Sequence, residues 1–289
     1  MNNEKIFFSI ILPTFNRGNK ISKAIDSVIN QSYKNWELIV IDNNSSDHTE
    51  KIVSSYNMDK ISFYKYNNDG IIAKSRNYGI HKSKGEYICF LDSDDWWDKF
   101  KLFYVYKEAI KDSLFIYHDH FVLNDSRIIK KRKITGRNMK NPIFGDLLNY
   151  GPCFATSSVT IHKNSFNKIG YFEEDKDFYG WEDWNAWLTF AEISNKFSRI
   201  NKPLSTILIH SENALNDNLK ITNMNKFCAK YLNDRKFIPN WCLYNQIIAH
   251  FNIADFLYVK LNIKKINFLS LNNIQKINYI KIFLNTLFK

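Results

Sequence analysis

The stretch that decides the fold is Glu86-Tyr87-Ile88-Cys89-Phe90-Leu91-Asp92-Ser93-Asp94-Asp95. Its apolar part predicts a short buried strand, and three carboxylates follow within four positions. Because like charges this close repel one another, folding alone gives little reason to place them together. A hard cation such as Mg²⁺ or Mn²⁺ relieves the repulsion, and open α/β sheets bind ligands at the ends of their strands. The stretch therefore predicts a metal-assisted site, and the alternative is an acidic surface turn in which Asp95 caps the next helix.

Length and composition bound the class of protein. With 289 residues, the chain has room for one large α/β domain or for a domain with an appendage, and its 45% hydrophobic content argues against disorder. The four cysteines lack CxxC spacing, which predicts neither a zinc site nor a disulfide framework and favours a reducing compartment. The sequence has no signal-peptide pattern and no run of about 18 apolar residues. We therefore expect a cytoplasmic protein, or a peripheral one at the inner face of the plasma membrane.

The positive charge is concentrated at the end of the chain. The formal net charge is +11, and from Lys220 onward eleven Lys and Arg face two Asp. The tail therefore carries +9 of the charge, and the first 219 residues are close to neutral. A nucleic-acid-binding protein remains an alternative because of this tail, but the near-neutral remainder argues against it.

Strand and helix patterns alternate through the first 95 residues. The strand patterns lie at 7–12, 36–41, 61–66 and 86–91, and the helix patterns at 21–29, 49–56 and 72–81. This alternation predicts a mostly parallel sheet with right-handed crossovers. Each strand ends in polar residues, and one nucleotide-sized site at the shared edge is the economical explanation. After Trp96 the pattern is helical through about Lys111.

Five segments taken together resemble the family 2 glycosyltransferases with a GT-A fold. They are residues 9–17 (SIILPTFNR), 42–47 (DNNSSD), 73–79 (AKSRNYG), 91–95 (LDSDD) and 180–184 (GWEDW). Each segment alone is a weak signal, but five in the right order and spacing are specific. The resemblance covers about residues 9–211 and does not reach the tail.

The resemblance implies an α/β fold of the GT-A type. A Rossmann-like, mostly parallel central sheet would be flanked by helices, and a mainly helical extension would follow. The implied glycosyltransferase domain is residues 1–219, with a nucleotide-binding half at 1–95 and an acceptor half at 96–219. Residues 220–289 would form the basic, aromatic-rich extension.

The resemblance also implies which residues bind a nucleotide-sugar donor. Asp42 would accept a hydrogen bond from the base, usually uracil, and the guanidinium of Arg76 suits a diphosphate or a base carbonyl. Two plainer explanations stay open, because Asp42 could start an Asx-type turn and Arg76 could pair with nearby acids. The implied set is Pro13, Thr14, Phe15, Arg17, Asp42, Asn68, Arg76, Asp92 and Ser93.

A divalent cation, Mn²⁺ or Mg²⁺, is the implied cofactor. The resemblance assigns Asp94 to this metal, which would bridge the two phosphates of the donor and neutralise the leaving nucleoside diphosphate. Asp92 would lie on the ribose side, and Asp95 would support the other aspartates or cap the next helix. His210 is the second candidate metal ligand, although a histidine at the end of a strand is also commonly structural.

The implied catalytic carboxylates open a helix in the GWEDW segment. By resemblance, Asp183 is the general base that deprotonates the acceptor hydroxyl, and Glu182 is the alternative, with a role in contacting the acceptor or holding the helix. Two acids in the first turn of a helix also complement its dipole, which is the plainer explanation. Aromatic neighbours favour the site, since sugar rings pack on aromatic faces.

The tail combines apolar and basic residues. Apolar positions from Ile274 to Leu287 are spaced for an amphipathic helix beside lysines, and basic amphipathic helices suit an anionic membrane surface. The alternative is a helical subdomain that packs on the catalytic domain or on a second subunit.

These features together predict an inverting, metal-dependent hexosyl- or N-acetylhexosaminyltransferase. The expected donor is a UDP-sugar, and the expected acceptor is a saccharide, plausibly lipid-linked, of a bacterial surface polysaccharide such as O-antigen or capsule. A nucleotidyltransferase acting on sugar phosphates is the enzymatic alternative. Such enzymes usually carry a Gly-rich basic loop after the first strand, and Pro13-Thr14-Phe15-Asn16 is not one. A non-catalytic sugar-binding module fits poorly with an intact set of Asp92, Asp94 and Asp183.

Overall fold

A mixed sheet lies at the centre of the protein. The computed structural model describes residues 6–124, 131–209, 217–232, 238–268, 271 and 273–287. The strands in these ranges are β1 (Phe8–Thr14), β2 (Trp36–Asp42), β3 (Ile61–Lys65), β4 (Tyr87–Phe90), β5 (Trp96–Trp97), β6 (Phe115–Asn124), β7 (Lys131–Ile134), β8 (Val159–His162) and β9 (Phe197–Ile209). The helices are α1 (Ile21–Ile29), α2 (Thr49–Ser55), α3 (Ile72–Lys82), α4 (Lys101–Ala109), α5 (Ile143–Tyr150), α6 (Phe166–Ile169), α7 (Glu182–Ile193), α8 (Asp217–Leu232), α9 (Asn240–Asn252), α10 (Phe256–Asn262) and α11 (Asn273–Leu287).

The strand order explains where the polar strand ends meet. The order is β3-β2-β1-β4-β8-β6-β9-β5, and β7 pairs with the outer part of β6. The first four strands are mutually parallel, β8 is antiparallel to both β4 and β6, and β9 is parallel to β6. The carboxyl ends of β1, β2 and β4 therefore lie side by side, as the alternating pattern predicts.

Both faces of the sheet are covered, as parallel strands require. All seven residues of β1 are buried, and successive ones contribute to two different hydrophobic clusters. Ile10 packs on the side of α1 and α4, whereas Ile11 packs on the side of α3 and α7. The helical periodicity of α1 is confirmed, since Ile21, Ala24, Ile25 and Val28 are all buried.

Helix α3 lies unusually close to β1. A Cβ atom added at Gly79 would stand 2.7 Å from Cγ2 of Ile11, which is too close for any contact. Glycine at this position lets the helix approach the sheet, and so sets the depth of Arg76, one turn earlier on the same helix.

The segment after the three aspartates differs from its predicted helical pattern. Trp96 and Trp97 form a short antiparallel pair with Thr206 and Ser205 of β9, and helix α4 begins only at Lys101. The pairing joins residues more than 100 positions apart, so the local periodicity could not indicate it. Asp95 is therefore not the cap of the following helix, and that alternative is wrong.

The C-terminal helices pack in two ways. Met224 and Phe227 of α8 are buried in the same cluster as Trp187 of α7. Helices α9 to α11 form a separate cluster around Ile247, Val259 and Ile282, and α11 occupies the range where the amphipathic pattern predicts a helix. The boundary after residue 219 stays a prediction. Within the described ranges, no helix has the length and apolar character needed to cross a membrane.

Candidate active site

The aspartate loop (residues 92–95) leaves β4 and turns back on itself, with the amide of Asp95 donating to the carbonyl of Asp92 at 3.0 Å. The Asp95 carboxylate is buried. Its Oδ2 accepts from Oγ of Ser157 at 2.5 Å, and its Oδ1 accepts from the amide of Leu208 at 2.9 Å. Burial and the neighbouring aspartates raise the pKa of Asp95 well above its usual range. Asp95 is thus a structural anchor of the loop, whereas Asp92 and Asp94 stay partly exposed.

Arg76 joins the aspartate loop to helix α7. Its side chain is almost fully buried and donates to Oδ1 of Asp92 at 3.0 Å and to Oε1 of Glu182 at 2.8 Å. Burial alone would lower the pKa of Arg76, but these two carboxylates more than offset it, so the pKa is raised and the guanidinium stays charged. The plainer explanation for Arg76, pairing with nearby acids, describes its contacts in this structure.

The two acids of the GWEDW segment are in different environments. Glu182 is buried, and its Oε2 also accepts from the amide of Gly180 at 2.7 Å. Burial and the charge of Asp183 raise the pKa of Glu182, against the opposing effect of Arg76. Asp183 is only half-buried. Its Oδ2 accepts from Oγ1 of Thr156 at 2.5 Å and its Oδ1 from the amide of Trp184 at 2.6 Å. Of the two carboxylates, Asp183 is the one with room to contact a further hydroxyl.

The loops after β1 and β2 are tied to each other. Asp42 pairs with Thr14 in the parallel register and is fully buried. Both oxygens of Asp42 accept from Ser45, from its amide at 2.9 Å and from its hydroxyl, as in the predicted Asx-type turn. Asn16 of the loop after β1 contacts the loop after β2, because its main-chain amide donates to the Ser45 hydroxyl at 2.8 Å.

The remaining donor-site candidates differ in exposure. Phe15 has 53% of its surface exposed, whereas Thr14 is buried and its hydroxyl has no hydrogen-bond partner among the described residues. Asn68 is buried and donates to Oγ of Ser75 at 2.8 Å, which fixes the turn before α3. Arg17 starts the turn into α1, with its carbonyl accepting from the amide of Ile21 at 2.9 Å. Pro13 is buried near the end of β1, and Ser93 is buried within the aspartate loop.

The donor set near Asp94 fits a hard divalent cation. Carboxylate oxygens are the ligands that Mg²⁺ and Mn²⁺ prefer, and Mg²⁺ is commonly held by one or two carboxylates together with substrate phosphates. Among the described residues no group of three His, Cys, Asp or Glu is gathered for a metal. A cation here would therefore depend on the phosphates for much of its coordination. His210 lies outside the described residues.

Three residues of this region carry no signal in the sequence. Thr156 and Ser157 precede β8 in a single 3₁₀ turn and resemble any polar entry into a strand. Lys101 is fully buried and donates to the carbonyl of Ser157 at 3.0 Å. A lysine at the start of a helix normally predicts an exposed side chain, so its position was not predictable.

A polar cavity of about 410 Å³ lies between α3, α7, α8 and the loop after α6. Asn77, Asn185, Thr189 and Lys230 contribute to its lining. None of the predicted donor residues and neither Asp183 nor Glu182 lines it. The cavity is thus separate from the predicted donor site.

Comparison with known proteins gives the family. The model of glycosyl transferase family 2 matches residues 9–174, which is more than half of the chain. The chain therefore belongs to glycosyl transferase family 2, and the resemblance read from the five motifs is confirmed. The matched range contains Asp42, Arg76 and the aspartate loop, and it ends before Asp183.

Curated relatives agree with this family. UDP-Glc:alpha-D-GlcNAc-diphosphoundecaprenol beta-1,3-glucosyltransferase WfgD of Escherichia coli is 31% identical over 199 residues, which cover 67% of this chain and 72% of that protein. An uncharacterized glycosyltransferase of Rickettsia bellii is 28% identical over 247 residues, covering 84% of this chain. The match spans only 33% of the length of that relative.

Solved structures confirm the predicted GT-A type fold. Staphylococcus aureus TarS 1-349 in complex with UDP-GlcNAc superposes with a TM-score of 0.64 at 17% identity, covering 97% of this chain and 81% of that one. Mannosyltransferase PcManGT from Pyrobaculum calidifontis, in complex with GDP-Man and Mn²⁺, gives 0.59 at 15% identity, covering 99% of this chain and 82% of that one.

Proposed function

We propose that this protein is an inverting, metal-dependent glycosyltransferase that moves a sugar from a UDP-sugar to a saccharide acceptor. The observation that carries the proposal is the meeting of Asp183 and the aspartate loop in one site. Arg76 connects Asp92 to Glu182, and Asp183 follows Glu182 directly. A candidate base and a candidate donor loop, far apart in sequence, therefore lie side by side.

Asp183 is the proposed general base. Each of its oxygens accepts one hydrogen bond from the protein, which leaves further lone pairs for the hydroxyl of an acceptor. Glu182 is committed to Arg76 and to the Gly180 amide, so its proposed role is to hold Arg76 in place. A base that acts on the face opposite the leaving group gives a single displacement with inversion at the anomeric carbon.

Asp94, with Asp92 beside it, is proposed to hold the Mn²⁺ or Mg²⁺ ion. When bound, such a cation offsets the charge of the leaving nucleoside diphosphate. Arg76 is almost fully buried and pairs with Asp92, which has about 33% of its side chain exposed, so the proposed role of Arg76 is to orient Asp92 at the donor site.

A uridine nucleotide is the proposed donor moiety. Asp42 ends β2 beside Thr14, whose buried hydroxyl has no partner among the described residues. A carboxylate and a free hydroxyl at one sheet edge suit the N–H and carbonyl groups of a base edge. The names of WfgD and of the TarS complex include UDP-Glc and UDP-GlcNAc, which supports a UDP-sugar, whereas the name of the PcManGT complex includes GDP-Man.

A lipid-linked saccharide at a membrane surface is the proposed acceptor. The name of WfgD specifies an acceptor on diphosphoundecaprenol. In this chain Ile253, Leu257 and Leu261 recur every four residues and are exposed, Leu257 by 70% and Leu261 by 64%. Lys260 and Lys264 are exposed beside them. An apolar stripe next to lysines suits contact with anionic lipid, which would bring the site close to such an acceptor.

The reaction is tested with UDP-glucose and α-GlcNAc-diphosphoundecaprenol as probes, with Mn²⁺ present. Asp183→Asn is expected to bind UDP normally and to lose transfer by ~10²-fold or more, because general base catalysis contributes about that much. Glu182→Gln is the comparison, and Asp94→Ala is expected to remove the metal-dependent part of UDP binding. The product should be β-linked by NMR. An active Asp183→Asn protein, or an α-linked product, would contradict the proposed mechanism.

Membrane contact is tested by flotation with vesicles that contain anionic phosphatidylglycerol. The double variant Leu257→Asn/Leu261→Asn is expected to float less than the parent protein while it binds UDP equally well. Ile110→Asn is the matched control. Ile110 is 59% exposed, but it directly follows α4 and does not belong to the C-terminal helices. Equal flotation of all three proteins would favour the alternative, a surface that packs on another subunit.

A further inference from the structure

Two adjacent hydroxyl residues connect the candidate base to the aspartate loop. We propose that Thr156 and Ser157, here called the hydroxyl pair, are positioning residues that hold Asp183 at a fixed place relative to the donor. The inference rests on the proposed role of Asp183 as general base. It adds residues that lie in neither predicted set.

Ser157 is hydrogen-bonded to the donor side of the site. Its hydroxyl donates to Oδ2 of Asp95 at 2.5 Å and accepts from the amide of Asp92 at 3.1 Å. Its carbonyl accepts from Nε1 of Trp97 at 2.9 Å and from Nζ of Lys101 at 3.0 Å. All four contacts go to one stretch, residues 92–101. Ser157 therefore fixes the loop that carries Asp94 through both its side chain and its main chain.

Thr156 is hydrogen-bonded to the acceptor side of the site. Its hydroxyl donates to Oδ2 of Asp183 at 2.5 Å, and the amide of Trp184 donates to the other oxygen at 2.6 Å. Two donors on two oxygens fix the rotation of the carboxylate about its terminal bond.

One peptide unit separates the two contacts. Consecutive Cα atoms are about 3.8 Å apart, so the base and the loop cannot move independently without disturbing this turn. The turn is itself fixed, because Val159 begins β8, which pairs with β4 on one side and β6 on the other. Since an error of about 1 Å in the position of a reacting group can cost ~10²-fold in rate, loss of this connection should lower the rate measurably.

The next residue supplies a matched control. Ser158 is equally buried, but its hydroxyl bonds only within the turn, donating to the carbonyl of Ala155 at 2.6 Å and accepting from its amide at 3.1 Å. A purely structural role for hydroxyls in this turn therefore predicts that Ser158→Ala is as harmful as a change at Thr156. A positioning role predicts that it is not.

The experiment measures the release of UDP from UDP-glucose in the presence of Mn²⁺. The acceptor of the glucose is either α-GlcNAc-diphosphoundecaprenol or water. Thr156→Val keeps the shape and removes the hydroxyl. We expect it to lower kcat by about 10- to 100-fold, with KM for UDP-glucose and the unfolding midpoint close to those of Ser158→Ala. Thr156→Ser should restore kcat to within about threefold of the parent. Ser157→Ala should instead raise KM for UDP-glucose, because it loosens the loop that holds the donor.

The outcomes separate this inference from the proposed function. An active Asp183→Asn protein would show that Asp183 is not the general base, and it would contradict both the proposed function and this inference. An inactive Asp183→Asn protein beside a Thr156→Val protein as active as Ser158→Ala would overturn the positioning role alone. A Thr156→Ser protein as impaired as Thr156→Val would also overturn it, because the methyl group and not the hydroxyl would then matter. If Thr156→Val does not fold, Thr156→Ala is measured against Thr156→Ser with the same expectations.

Discussion

Two buried cations contact the region of the aspartate loop, and they differ in what surrounds them. Arg76 donates to the carboxylates of Asp92 and Glu182. Lys101 donates to the Ser157 carbonyl, and its Nζ lies 3.4 Å from the ring centroid of Trp97. Burial lowers the pKa of Lys101 to about 7, whereas the pKa of Arg76 is raised. Both groups are buried, so the two carboxylates beside Arg76 account for the opposite direction of its pKa shift.

The difference separates a permanently charged side of the site from a side whose lysine has a pKa of about 7. On the Lys101 side, burial holds the pKa of His118 well below its usual range, so this histidine is uncharged at neutral pH. The Arg76 side keeps a permanent positive charge beside the partly exposed carboxylate of Asp92, where an anionic donor is proposed to bind. The Lys101 side serves to support the turn at Ser157.

Removal of Arg76 should give the largest effect. Arg76→Met leaves the buried carboxylate of Glu182 and the adjacent Asp92 without their cation. Breaking a buried ion pair by removing one partner typically costs ~3–5 kcal/mol, and we expect a loss of that size in the free energy of unfolding. Urea denaturation at pH 7 measures it.

Arg76→Lys is the control for this change. It keeps the charge but lacks the planar fork that reaches two carboxylates, so it should retain part of the stability. An Arg76→Met protein as stable as the parent would show that the two buried sides do not differ in the way their pKa values indicate.

Lys101 should make stability depend on pH. An unfolded lysine titrates near ~10.4, and the folded value is about 7. Between these values the unfolded chain binds more protons, so the free energy of unfolding should rise with pH. The rise between pH 7 and 9 should be ~2 kcal/mol larger in the parent than in Lys101→Met, measured by urea denaturation at both pH values. Parallel pH profiles for the two proteins would contradict a neutralised lysine.

Trp97 should give the smallest effect. Trp97→Phe keeps an aromatic face over Lys101 but removes the indole donor to the Ser157 carbonyl. Loss of one buried hydrogen bond should cost about 1 kcal/mol, and the dependence on pH caused by Lys101 should remain. Denaturation at pH 7 and 9 checks both points, and a loss of the pH dependence would mean that the indole N–H and not burial sets the pKa of Lys101.

Much of the sheet could be predicted because its signals are local. The strand runs that lead to Asp42 and to Asp92 are apolar and short, and each is followed by polar residues. Tertiary contacts add little to such a pattern beyond the order of the strands. The family followed from the same local motifs, because their spacing reflects the loops after these strands.

The rest of the site depends on contacts between distant residues. Trp96 and Trp97 lie in a strand only because β9 passes beside them, and Lys101 is buried only because Ser157 supplies a carbonyl. Thr156 contacts Asp183 across 27 positions through a turn that has no sequence signature. The predicted roles of the donor-site residues, of Asp183 and of Asp94 remain predictions.

The long sequence separations within the site also govern when it can form. Arg76 and Glu182 are 106 positions apart, and Asp95 and Leu208 are 113 apart. During synthesis, the ribosome releases β1 to β4 well before it releases α7 and β9. Until those elements arrive, Arg76 can pair with Asp92 but lacks Glu182, and Asp95 lacks both the Ser157 hydroxyl and the β9 amide. Closing such long loops is slow, so the site should be among the last parts of the molecule to assemble, and its activity would report completed folding.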